Sequence, residues 1–269
     1  MNRNLFLMEI KRNAVSLIVW MIVITLLISL TMSVYNTFVE NQSKIMGMMN
    51  LVPKGVLQFK GISNFTDLFS ILGFYAVNNI IYMMVLGSIF AIALSSNILL
   101  KEEYNKTAEY LLTRPLTRGE IFFSKLVVVL LHVFLLNIVT ALAGFLCIEL
   151  VKKGDFSVRA FLILSLYTLL LNLLFGAIGL FLSTLVKRAK PITTFSIGLV
   201  LFFYFIYTLS KITEGASKIA YLSPFRFVNM DAINTAYRLE FWHLLYFIGI
   251  SLLLITISFR LYSRRDIYT

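Results

Sequence analysis

Thirty consecutive residues, Ile71–Leu100, carry no charged side chain. At about 1.5 Å per residue, a helix of that length exceeds the roughly 30 Å hydrocarbon core of a bilayer. A run of this kind leaves a soluble domain few options, and it does not stand alone. Comparable apolar stretches occupy about Ala14–Tyr35, Ile121–Leu150, Ala160–Val186, Ile192–Leu209 and Phe241–Leu261. The whole chain is 59% hydrophobic, against about 45–50% for soluble globular domains. Its charged residues, 14% of the total, gather between the runs. The expectation is an all-α, polytopic membrane protein: one transmembrane domain over residues 1–269 with six spans.

Charge placement sets the expected orientation. With a cytoplasmic N-terminus, the inner segments and adjoining helix ends hold fourteen of the 24 Lys and Arg, and the longer outer segments hold ten. The short loop Lys187-Arg188-Ala189-Lys190-Pro191 and the terminal Arg264-Arg265 weigh most, because short loops follow the positive-inside rule best. Both termini are therefore expected in the cytoplasm, with the chain multi-pass in the cell membrane. The same rule, with anionic headgroups, accounts for the net charge of +11 without nucleic acid as a partner. Ala14–Val34 is too long for a signal core and lacks a small-x-small cleavage site, so it reads as an uncleaved first span. Before it, Leu5, Phe6, Met8 and Ile10 lie opposite Glu9, Arg12 and Asn13. That pattern predicts a separate amphipathic helix in the inner interface before the first span. Asn36–Ser70 and Ser210–Glu240 are apolar for outer loops. Pro224 divides the second of these into two short pieces of re-entrant character.

Lys101–Lys125 (KEEYNKTAEYLLTRPLTRGEIFFSK) concentrates charge. Thr117-Arg118-Gly119-Glu120 fits a capping box, with Leu116 and Ile121 as a hydrophobic staple, so a helix starts near Arg118. Pro115 ends whatever precedes it. Thr107–Thr113 can form one or two amphipathic turns, with Ala108, Leu111 and Leu112 on one side and Glu109 on another.

LKEEYNKTAEYLLTRPLTRGEIFFSKL resembles the first inner loop of type-2 permeases of ABC transporters, although Lys106 stands where that family often has Gly. LVPKGVLQFKGISNFTDLFSILGFYAV resembles the family's outer segment entering the second span, LSPFRFVN its motif before the last span, and YSRRDI its basic end. The resemblance covers nearly the whole chain. It implies the membrane subunit of an ABC exporter that pairs with a second permease copy, identical or related, and docks cytosolic ATPase subunits. The docking element would be a cytoplasmic coupling helix built around Glu103, Lys106, Thr107, Ala108, Glu109, Tyr110, Leu111, Leu112, Arg114 and Pro115. The N-terminal amphipathic segment would be the family's elbow helix.

The chain has no Gly-Lys pair and so no P-loop. ATP and Mg are expected in the partner ATPase, and no cofactor or metal in this chain. Glu102, Glu103, His132 and Asn137 resemble parts of an intramembrane protease site. Thr107, however, stands where that pattern needs Arg, and His132 and Asn137 face different sides of a helix, so no enzyme is expected. Polar residues inside spans are costly: Asn78, Asn79, His132, Asn137 and Asn172 either line a translocation path or bond helices together. Sparse in-span polarity favours an amphipathic or lipid-soluble cargo and membrane lipids as neighbours. The alternative is a non-transporting immunity or sensory subunit of permease ancestry.

Overall fold

The computed structural model describes residues 2–49, 68–100, 117–186, 189–212, 218–232 and 237–264. Among them are six helices long and apolar enough to cross a membrane. We number these spans one to six: Arg3–Ser33, Ile71–Ile98, Arg118–Val151, Val158–Leu185, Ala189–Ile212 and Phe241–Arg264. All six coincide with the apolar runs of the sequence. The first helix begins eleven residues before its run and the fifth passes its run by three residues at each end, since backbone hydrogen bonding continues where side chains become polar.

Local chemistry explains the starts. The Asn2 side chain accepts from the amides of Asn4 and Leu5 (3.1 Å each). Ser70 and Ser157 accept from Gly73 (3.1 Å) and Ala160 (3.2 Å). Each thus satisfies amides that a first helical turn leaves free. Thr117 and Glu120 form the reciprocal capping box.

One expectation is corrected. Residues 5–13 do not form a separate helix that turns into the first span; Arg3–Ser33 is one continuous helix of 31 residues. No Gly or Pro interrupts it, and Asn13 does not cap a new start. Its amide donates instead to the Glu9 carbonyl (2.8 Å). Two short helices, Tyr35–Glu40 and Gln42–Met49, follow. The second span contains a π-helical turn at Ala76–Ile80.

The second and fourth spans pack along each other at the centre, the first lies against the third, and the sixth lies against the fourth. We call the end holding Asn2, Ile98, Thr117 and Arg264 basal, and the opposite end distal. At the basal end Arg118 Nη1 donates to the Ser263 carbonyl (3.3 Å). At the distal end the chain after the fifth span folds back through two short 3-10 turns, Ile219–Leu222 and Pro224–Phe227. Ser223 Oγ donates to the Phe203 carbonyl (2.7 Å), about 14 Å back from Ile212 along the fifth span. The buried Phe225 ring sits 5.4 Å from both Phe175 and Tyr204. Phe225→Ala is expected to cost about 3–5 kcal/mol through the cavity it leaves, read as a lower unfolding temperature of the detergent-solubilised chain.

Candidate functional site

The basal end carries a buried charge cluster. Glu9 of the first span and Lys125 of the third have no exposed surface, and their charged atoms lie 3.8 Å apart. Lys125 Nζ also donates to the carbonyl of Ile98 (2.5 Å), the last residue of the second span. A helix C-terminus leaves carbonyls unpaired and carries partial negative charge, so an ammonium is well matched to it. Arg12 Nη2 reaches Glu9 Oε1 (2.6 Å), and the Asn2 amide donates to Ser124 Oγ (3.0 Å). One lysine therefore joins three spans. The described chain leaves the second span at Leu100, which packs on Ile192, and resumes at Thr117.

A second polar constellation lies mid-bundle. Ser88 Oγ donates to Asn172 Oδ1 (3.1 Å), and Asn172 Nδ2 donates to Asn137 Oδ1 (3.2 Å). Asn137 Nδ2 in turn donates to the Val133 carbonyl (2.8 Å). The second, fourth and third spans are thereby linked through side chains that are all buried. Gly87 makes room for this chain, because a Cβ there would collide with the Asn172 amide.

The other in-span candidates do not join it. Asn78 Nδ2 donates to the Phe74 carbonyl (3.0 Å) and stays half-buried. Asn79, in the π-turn, is fully buried, and neither amide atom has a partner among the described residues. His132 Nδ1 lies 2.8 Å from the Val128 carbonyl, which only accepts, so this nitrogen carries the proton. Its Nε2 is buried and has no partner among the described residues. Of the five, the fold brings together Asn137 and Asn172 alone.

The sequence reading missed Ser88 and the Glu9–Lys125 pair. Opposite charges near expected basal helix ends were the available signal, but nothing in a single sequence pairs residue 9 with residue 125. The residues expected to dock an ATPase, Glu103, Lys106, Thr107, Ala108, Glu109, Tyr110, Leu111, Leu112, Arg114 and Pro115, lie outside the described residues.

At the distal end Glu240 connects the sixth span to the fold-back. Its amide donates to Tyr167 Oη (3.1 Å), and its carboxylate accepts from Asn229 Nδ2 (3.1 Å). Tyr237 Oη donates to the Asn229 carbonyl (2.7 Å). Burial, with the nearby Tyr167, Asp231 and Glu240, pushes the Tyr237 hydroxyl above its usual range.

Six helices long and apolar enough to cross a membrane define a multi-pass helical membrane protein. The family model described as ABC-2 family transporter protein matches residues 3–267, and the chain belongs to that family. It is a permease-type membrane subunit, of a family that is not itself catalytic and usually pairs with ATPase subunits. No curated protein matches the chain.

Two predictions test these constellations. Lys125→Met leaves Glu9 with Arg12 and removes the ammonium bonded to the Ile98 carbonyl, and it is expected to cost about 1–3 kcal/mol. Thermal unfolding checks this. Gly87→Ala overpacks the centre and is expected to cost about 1–3 kcal/mol. In an Asn172→Ala background the penalty should shrink, which a double-mutant cycle measures.

Proposed function

We propose that this chain is the membrane subunit of an ATP-driven exporter, docking cytosolic ATPase subunits at its basal end and working beside a second permease copy. The observation that carries this reading is the family match over residues 3–267. The basal geometry supports it. Residues 101–116 join spans whose ends share a single ammonium, so a displacement of that segment would act on the first, second and third spans together. In this reading Thr107–Thr113 is the docking helix, the ATPase supplies the ATP and Mg chemistry, and its closure shifts the bundle between two arrangements. The distribution of Lys and Arg favours a cytoplasmic basal end and a location in the cell membrane. The cargo proposed is amphipathic or lipid-soluble, because polar side chains inside the spans are sparse and Ser88, Asn137 and Asn172 are engaged in helix contacts.

The deciding experiment purifies the tagged chain from its native membrane in mild detergent and identifies co-purifying proteins by mass spectrometry. A stoichiometric ABC ATPase is expected. It should be lost when residues 105–115 become a Gly/Ser linker in a variant that still inserts. Glu109→Arg should weaken that association while leaving insertion and pairing intact. A preparation without ATPase would favour a non-transporting subunit, and full association with the linker would refute the docking assignment.

A further inference from the structure

The second span leaves regular helix at the π-turn Ala76–Ile80, and one side chain there breaks a pattern kept elsewhere. Asn13, Asn78, Asn97 and Asn137 each donate from Nδ2 to the carbonyl four residues back, at 2.8–3.0 Å. Asn79 does not reach the Tyr75 carbonyl in this way. Its amide is fully buried and has no partner among the described residues. A polar group in that condition costs free energy, so some other interaction must hold the turn.

That interaction is the seat of Tyr75. The side chain is fully buried, and a Cβ on Gly144 would collide with its hydroxyl. The hydroxyl donates to Met83 Sδ (3.6 Å), and the ring centre lies 5.4 Å from that of Phe161. Tyr75 and Met83 are eight residues apart, which in a regular helix separates them by about 80° around the axis. A π-turn absorbs one extra residue and brings them to within about 20°. The contact of Tyr75 with Met83 therefore depends on the turn.

We propose that the π-turn of the second span is a two-position switch. In the position described, Tyr75 is seated on Gly144 and Asn79 goes without hydrogen bonds. In the other, the turn relaxes to regular α-helix and Asn79 bonds to the Tyr75 carbonyl. Ile71–Tyr75 then turns by about 100° and lifts Tyr75 off Gly144. The seat of one side chain opposes the hydrogen bond of another, which is what a bistable element requires. The switch rests on helix geometry and stands independently of any ATPase.

The test uses Cys147, the single cysteine of the chain. It is half-buried and lies one turn from Gly144 on the same helix face, so its labelling by a small maleimide reports the unseating of Tyr75. In the detergent-purified full chain, Gly144→Ala blocks the seat and is expected to speed labelling about tenfold. Asn79→Leu removes the amide that favours the α-helical position and is expected to slow labelling about threefold. Because an unbonded buried polar group is gone, the same variant should also unfold about 2–4 °C higher. The two changes together should label at close to the unmodified rate. A lower unfolding temperature, or unchanged or faster labelling, in Asn79→Leu would overturn the proposal, and that variant decides the matter even where Gly144→Ala fails to fold. Unchanged labelling in a folded Gly144→Ala chain would overturn it equally.

Discussion

The Asn172 side chain, lodged against Gly87 with its amide bonded to Ser88 and Asn137, is the contact around which the bundle is arranged. An amide in an apolar interior must find partners or bear a desolvation cost of several kcal/mol. Lipid offers none, so the spans that can supply them are drawn to it. This fixes the second, third and fourth spans in rotation as well as in proximity. Each hydrogen bond is worth only about 0.6 kcal/mol on average in such a setting. Their larger effect is to disfavour other registers of the same apolar surfaces. Gly144 and Gly179 act similarly, the first accommodating Tyr75 and the second Ser95.

The basal cluster follows the same logic with charge. A buried ion pair adds little net stability, because desolvation offsets most of the attraction. What Glu9 and Lys125 do add is position: the end of the second span, the start of the third and the first turns of the first are held at one point. The N-terminal segment is one helix with the first span because Glu9 faces this cluster instead of an interface. The two-faced pattern expected of residues 5–13 does not hold: Leu5 and Glu9, expected on opposite sides, are four residues apart and both buried, so the face that carries Glu9 meets protein. A segment joining the second and third spans thereby has a short route to all three.

The periphery obeys the opposite rule. Val15, Ile22 and Leu30 of the first span and Leu252 and Leu253 of the sixth are large, apolar and mostly exposed. In water they would mark a fault; in a bilayer they face their solvent. Burial rises from the first and sixth spans to the second and fourth, which explains why the buried asparagines Asn79, Asn137 and Asn172 occur in the second, third and fourth. Asn79 is the exception that the helix contacts do not explain. It is buried without a partner among the described residues and lies in the π-turn, a feature often found at functional positions.

Much of this was legible from the chain alone. Uncharged runs longer than the bilayer core determine helices, because only there does the backbone satisfy itself without water. Thr117 through Glu120 determined where the third span begins, since a capping box is local chemistry within four residues. The family, too, is carried by the order of motifs along the chain. Tertiary structure alone decided which polar groups meet: Ser88 with Asn172, Asn172 with Asn137, Glu9 with Lys125. Hydrophobicity sets depth in a membrane but is nearly blind to rotation about the helix axis. Rotation is chosen by which neighbours can complete a hydrogen bond or admit a side chain, and those neighbours are distant in sequence. For the same reason only packing showed that Glu9, together with Leu5, points inward.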